Sequence, residues 1–447
     1  MGELGNPFFI DITEIAGFDN LHHAEGILLE AQKRAAKLYN SQETHYLING
    51  STAGVLSAIS GCTSYGGGIL MARNSHKSAY HAVLLRGLKA SYIYPQFPEK
   101  MGINGEISPE SVEKALKENL EAQAVFLTSP TYDGVVSDVA RIAGIVHAHG
   151  LPLIVDEAHG AHFPFSEHFP KDSVSCGADV VIHSVHKTLP ALTQTALIHL
   201  NGNRIDREKI RKYLTVYQSS SPSYVLMAGL DNCMEWIASH QAAFEQFWEE
   251  LQVLRAGLRS MENLKLLELP GMDESKILVS VRGTGISGQE LSGILRREFH
   301  IELEMACGTY VCAITTVADT KESLERLLTA FRKVDEGISR SGEHSDKRFG
   351  LPDFDGVLET ASVCTIAQAE EYPAEDCGLS QSAGRISGGF VTLYPPGIPI
   401  LAPGEVITEP IVGRLQDYAA AGLEVHGMRK DTIRVLKGKR EWERYFV

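Results

Sequence analysis

Apolar and polar positions follow two alternating periods along this chain. Between residues 24 and 40 the apolar side chains return every three or four positions, which predicts an amphipathic helix. The short run His45-Tyr46-Leu47-Ile48 then predicts a strand, and the turn Asn49-Gly50-Ser51-Thr52-Ala53-Gly54 opens a second helix. Compact apolar runs at Gly68–Ala72, Ala90–Tyr94, Ala124–Thr128, Pro152–Val155, Val180–His183 and Ala196–Leu200 predict further strands with helical stretches between them. This alternation implies an α/β fold with a mostly parallel sheet and helices on both faces. Ligands of such sheets collect at the carboxyl ends of the strands, where the loops at 49–54, 73–78, 128–134, 156–162 and 184–188 all fall.

The pattern also divides the chain. Residues 1–20 form an amino-terminal segment and 21–260 a large domain. A long amphipathic helix over about 232–260 (Trp236, Ile237, Phe244, Phe247, Leu251, Leu254) leads out of it. Residues 261–337 form a small α/β unit, with strands Lys276–Val281 and Tyr310–Thr315 flanking a helix that opens at Ser287-Gly288-Gln289-Glu290. The polar stretch 338–349 is the expected linker, and 350–447 a carboxy-terminal α+β domain with a Gly/Pro-rich loop.

Composition narrows the function classes. A net charge of -15 repels nucleic acid and anionic membranes, so neither is expected as a partner. The seven cysteines, at 62, 176, 233, 307, 312, 364 and 377, are odd in number and without CxxC spacing, which points to a reducing compartment. The first residues carry neither a basic region nor an apolar run, and Asn6 occupies the hydroxyl position that myristoylation of Gly2 would need. No stretch approaches the ~18 apolar residues of a membrane span. A cytoplasmic protein is expected.

The chemistry lies at two strand ends. Lys187 follows the apolar run Asp179-Val180-Val181-Ile182, and Asp156, 31 positions earlier (187 − 156), closes Leu151-Pro152-Leu153-Ile154-Val155. An amine that can bind an aldehyde and a carboxylate that can keep a pyridine nitrogen protonated are what pyridoxal 5'-phosphate (PLP) requires. The bland alternatives are a solvated lysine and a helix-capping aspartate. Small residues at a helix start, Ser51, Thr52 and Ala53, suit a phosphate group, with Ser184 and His186 as further contacts. His76 is either an idle loop histidine or the aromatic ring expected on the pyridine face. His159 and His162, three apart, invite a metal reading; no third ligand accompanies them in sequence, so no metal is expected.

Several stretches together resemble the Orn/Lys/Arg decarboxylase family, in its shorter bacterial branch of fold-type-I PLP enzymes that includes biosynthetic arginine decarboxylases. They are Asn49–Gly54, Arg73-Asn74-Ser75-His76-Lys77-Ser78, Ser129-Pro130-Thr131-Tyr132-Asp133-Gly134, Asp156–His162, Ser184–Gln194, Ser219–Tyr224, and Tyr394-Pro395-Pro396-Gly397-Ile398-Pro399 with Pro403-Gly404-Glu405. The resemblance implies that Lys187 is the Schiff-base lysine, Asp156 the ring-nitrogen partner and His76 the stacking ring. It places Ser51, Thr52, Ser184 and His186 on the phosphate, and Ala158 and His159 near the cofactor ring. The active site would sit at a homodimer interface, with the Ser219–Ser221 loop, Ser220 included, reaching the neighbouring subunit's phosphate. Relatives carry a Pro-Gly-His-Lys segment before the stretch seen here as Asp11-Ile12-Thr13-Glu14, and long members add an amino-terminal wing; this sequence shows neither, which fits a dimer or tetramer and bears on substrate choice.

The implied reaction is decarboxylation of a basic amino acid, arginine before lysine or ornithine, in polyamine metabolism. The bond that breaks is the one held perpendicular to the ring, an orientation the sequence does not encode, so aminotransferase or aldolase chemistry stays open. A PLP-binding regulator without catalysis is the alternative of another class. Glu302, Glu304 and Glu405 are the candidate carboxylates for the substrate's distal cation.

Overall fold

The computed structural model describes residues 6–98, 101–341, 358–393, 397–420, 423 and 425–438. Seven strands form the central sheet: β1 (Glu43–Leu47), β2 (Gly68–Ala72), β3 (Lys89–Ile93), β4 (Ala122–Thr128), β5 (Leu153–Asp156), β6 (Val180–His183) and β7 (Ala196–Leu200), in the order β1-β7-β6-β5-β4-β2-β3. β2, β3, β4, β5 and β6 pair in parallel, while β7 runs antiparallel to both its neighbours. The mostly parallel sheet expected from the apolar runs is therefore present.

Strand alternation builds two cores. Ile69, Met71, Phe126, Ile154, Val180 and Ile182 pack on one face, with Val55 and Ile59 of the helix Gly50–Cys62. Their sequence neighbours Leu70, Ala72, Val125, Leu127, Leu153, Val155 and Val181 pack on the other. Continuous apolar runs in β2, β5 and β6 are the signature of strands buried on both faces, and each of these three strands is buried throughout.

The expected helix over 232–260 is two helices, Tyr224–Ser239 and Ala242–Arg259. The break has a local cause: Ser239 Oγ donates to the Glu235 and Trp236 carbonyls, and His240 Nδ1 lies 2.9 Å from the Trp236 carbonyl oxygen. Such side-chain bonds compete with the helical backbone ladder.

The smaller unit carries a second sheet of β8 (Lys265–Leu266), β9 (Lys276–Ser280), β10 (Met305–Ala306) and β11 (Tyr310–Ile314) in the order β10-β11-β9-β8. Its helix Gly288–Phe299 opens with a capping box between Ser287 and Glu290. The helix Lys321–Ser341 runs into the stretch expected as linker, so residues 338–341 are helical and 342–349 lie outside the described residues. Beyond them, two three-stranded sheets and the helix Glu409–Ala420 make up the carboxy-terminal part; Tyr394-Pro395-Pro396 lies outside the described residues.

That part joins the large unit through Ile366, Ala402 and Phe390, which pack into its core, and through a buried ion pair. Arg73, just past β2, is fully buried, donates to the Pro399 and Ile400 carbonyls, and meets the Glu405 carboxylate at 3.1 Å.

Candidate active site

β5 and β6 are parallel neighbours, with Asp156 in register with Ile182. Asp156 closes the first strand, and the second leads directly into the helical turn Val185–Thr188 that carries Lys187. The sheet thus brings together two residues far apart in sequence. Burial pulls the Lys187 amine below the ordinary lysine range; the Asp156 carboxylate opposes this, and the charge of Lys276 adds to it. Asp156 is itself buried, which raises its carboxyl, while Lys187 and the Ala158 N–H work against the rise.

His159 stands beside Lys187, with Nε2 2.9 Å from Lys187 Nζ. Its Nδ1 lies 2.6 Å from Nζ of a second, fully buried lysine, Lys276, the first residue of β9. Tyr132 packs edge-on to His159 at 5.2 Å and donates its hydroxyl to Glu304 at 2.6 Å.

His76 is the N-cap of the helix Lys77–Arg86, and its Nδ1 lies 2.9 Å from Ser78 Oγ, which fixes the ring. Loss of hydration, with the nearby Lys187 adding to it, pushes its imidazole down to about 4, so the ring is neutral. Opposite, Gly50 holds φ at +73°, a left-handed turn that strains any L side chain. The helix Gly50–Cys62 begins there, and its N-cap Asn49 forms no side-chain cap. The first N–H groups of Ser51, Thr52 and Ala53 are therefore left without a side-chain cap at the positive end of the helix dipole. Ser184 Oγ donates to Ser51 Oγ at 2.8 Å, and His186 Nδ1 lies 2.8 Å from the Thr195 carbonyl oxygen. The Ser219–Ser221 loop is anchored beside this helix start: Ser219 N–H donates to Asn49 Oδ1 at 3.1 Å.

Two of the three candidate substrate carboxylates are displaced. Glu405 is buried and held by Arg73 and the Ala402 N–H, so it cannot meet an incoming cation. Glu302 lies on the surface in a pair with Arg296. Glu304, bonded to the Tyr132 hydroxyl, is the one of the three whose charge bears on Lys187. His159 and His162 do not share a ligand: His162 turns to Asp273 at 3.4 Å and to Ser275 at 3.3 Å, and among the described residues no three side chains converge as a metal site.

The residues fit PLP on observations independent of the motif. The uncapped helix start suits a phosphate dianion, the amine and carboxylate stand on adjacent strand ends, and three buried oxygens without partners (Asn74 Oδ1, Thr128 Oγ1, Thr188 Oγ1) lie at or just past the carboxyl ends of β2, β4 and β6.

The family descriptions "Orn/Lys/Arg decarboxylase, major domain" and "Orn/Lys/Arg decarboxylase, C-terminal domain" match residues 2–263 and 360–445. The chain belongs to the Orn/Lys/Arg decarboxylase family. It is 31% identical to an arginine decarboxylase of Bacillus anthracis over 97% of this chain and 89% of that one. Among solved structures it is similar to lysine decarboxylase A from Pseudomonas aeruginosa (TM-score 0.79, 20% identity, 95% of this chain and 73% of that one). A more distant fold match is a high-resolution structure of SPT with PLP (TM-score 0.55, 16% identity, 70% of this chain and 77% of that one).

Within the Orn/Lys/Arg decarboxylase frame, Lys276 and Tyr132 are residues that the sequence reading left without a role. Tyr132 sat inside a quoted motif. Lys276 gave one usable signal, a lysine heading the apolar run Ile277-Leu278-Val279, where a solvated lysine is out of place.

Proposed function

We propose that this protein decarboxylates a basic amino acid, arginine in preference to lysine or ornithine, with PLP held on Lys187. The observation that carries the reading is the placement of the Lys187 amine and the Asp156 carboxylate at the ends of neighbouring parallel strands. PLP, when bound, supplies the electron sink that lets carbon dioxide leave an α-carbon.

The chain's own groups do the rest. Asp156 accepts the hydrogen bond from a protonated ring nitrogen, in a buried place where that proton is worth more than in water. His76 offers its neutral face to the ring. Ser51, Thr52, Ala53, Ser184, His186 and Ser220 surround the phosphate, and Ala158 and His159 border the ring. Glu304, held by the Tyr132 hydroxyl, receives the distal cation of the substrate. Lys187 or His159 returns a proton to the α-carbon once the carboxylate has gone. The amine product suits polyamine metabolism, a homodimer is the proposed working unit, and the cytoplasm its place; among the described residues no helix is long and apolar enough to cross a membrane.

Purified protein with PLP should release carbon dioxide from arginine, less from lysine or ornithine and none from an aliphatic amino acid, and Lys187→Ala should abolish the release. Carbon dioxide from none of them, with PLP bound, would move the protein to another PLP reaction or to a regulatory role.

A further inference from the structure

Lys276 has no exposed surface, a rare fate for lysine unless its ammonium is compensated. Compensation comes from three sides. The buried carboxylates of Asp133 and Asp273 are both drawn towards ionisation by its charge, and the face of Tyr132 lies 5.7 Å from Nζ. Between two carboxylates and an aromatic face, the Lys276 nitrogen serves as a hydrogen-bond donor.

That nitrogen reaches His159 Nδ1 at 2.6 Å. Nδ1 is then the acceptor nitrogen, and a neutral ring carries its proton on Nε2. Neutrality follows from the surroundings: burial comes first, and the neighbouring Lys276 also disfavours an imidazolium. Nε2–H points at Lys187 Nζ, 2.9 Å away. A lysine nitrogen accepts such a bond only as the free amine. Asp156 and Glu304 favour the ammonium of Lys187, so the outcome is a contest in which the orientation of His159 takes the side of the amine.

We propose that Lys276 is a positioning residue that sets the tautomer of His159 and, through it, holds Lys187 as the free amine that captures the cofactor aldehyde. In that capture the nitrogen lone pair forms a bond to the aldehyde carbon, and the carbonyl oxygen leaves as water with the two amine hydrogens. The inference rests on the reading of Lys187 as the PLP lysine.

Two measurements on the PLP-free protein test it. Nitrogen-15 histidine correlation spectra, with His159 identified by its loss in His159→Gln, report which ring nitrogen carries the proton. Absorbance follows uptake of added PLP across pH. Wild type should show Nε2–H. Lys276→Met should lose that preference, and its uptake profile should move about one unit to higher pH, a slowing of about tenfold at neutral pH. Lys276→Arg should restore both, because a guanidinium also donates without accepting.

A proton on Nδ1 in the wild type would overturn the proposal without any variant, so a poorly folding Lys276→Met leaves it open to refutation. A Lys276→Met profile superimposed on that of the wild type would overturn it as well. Failure of the underlying reading looks different: Lys187→Ala would take up PLP with the wild-type band, which removes Lys187 from the role whatever tautomer His159 adopts.

Discussion

Lys187 and Lys276 meet opposite nitrogens of one imidazole, at 2.9 Å and 2.6 Å from His159 Nε2 and Nδ1. The first follows β6 of the large sheet and the second opens β9 of the smaller one, so a contact between the two sheets shapes the environment of Lys187. His159→Phe keeps the ring volume and removes both partners. It should lower stability by about 1–3 kcal/mol, because a buried lysine and a half-buried one each lose a hydrogen bond, and should slow carbon dioxide release about a hundredfold. Thermal unfolding and initial rates check the two effects.

Asp156→Asn preserves shape and the strand end but cannot carry the charge that holds a ring proton. The rate of carbon dioxide release should fall by about a hundredfold or more, with Tm nearly unchanged. An unaltered rate would show that the ring nitrogen is not partnered by this residue.

Glu304→Gln should raise KM for arginine about tenfold, the cost of a lost charge-assisted hydrogen bond of about 1.4 kcal/mol, with a smaller effect on kcat. Glu302→Gln should change neither constant, since that carboxylate faces Arg296 on the surface. Steady-state kinetics on the two variants separate neighbours only two positions apart.

Arg73→Met strips the partner from the buried Glu405 carboxylate and should destabilise the fold by about 3–5 kcal/mol. Glu405→Gln should also lower Tm while leaving the preference for arginine over lysine intact. A changed preference would return Glu405 to the substrate site.

Asp133 is buried, and burial pushes its carboxyl up to about 6, with the Tyr310 hydroxyl 2.6 Å away working in the opposite direction. The folded state holds this proton more tightly than the unfolded chain, whose ordinary value is 3.8. Stability from this group is therefore full below about 4, declines as pH rises towards 6, and stays reduced above it. Asp133→Asn removes the dependence, so the variant should gain on the wild type by up to about 3 kcal/mol between pH 4 and 7. Urea midpoints at the two pH values read the difference.

The sheet was legible because its strands are apolar on both faces: β2, β6 and β7 run over the residues that the pattern predicts. The break at His240 was not, since it depends on side-chain bonds to the backbone rather than on periodicity. In the site, Lys187 and Asp156 stood out as polar residues at the ends of apolar runs. Glu405 misled because an acid in a Gly/Pro loop looks available, while the arginine that neutralises it lies 332 positions away. Lys276 escaped for the same reason, its partner His159 being 117 positions distant in another domain.

Lys187, and not the lysine on the other side of His159, is the residue proposed to carry the cofactor. Borohydride reduction of the PLP-loaded protein, followed by peptide mass mapping, tests it directly. A reduced pyridoxyl group on the peptide containing Lys187, with Lys276 unmodified, is the predicted result. The same group on Lys276, or on neither, would contradict the account.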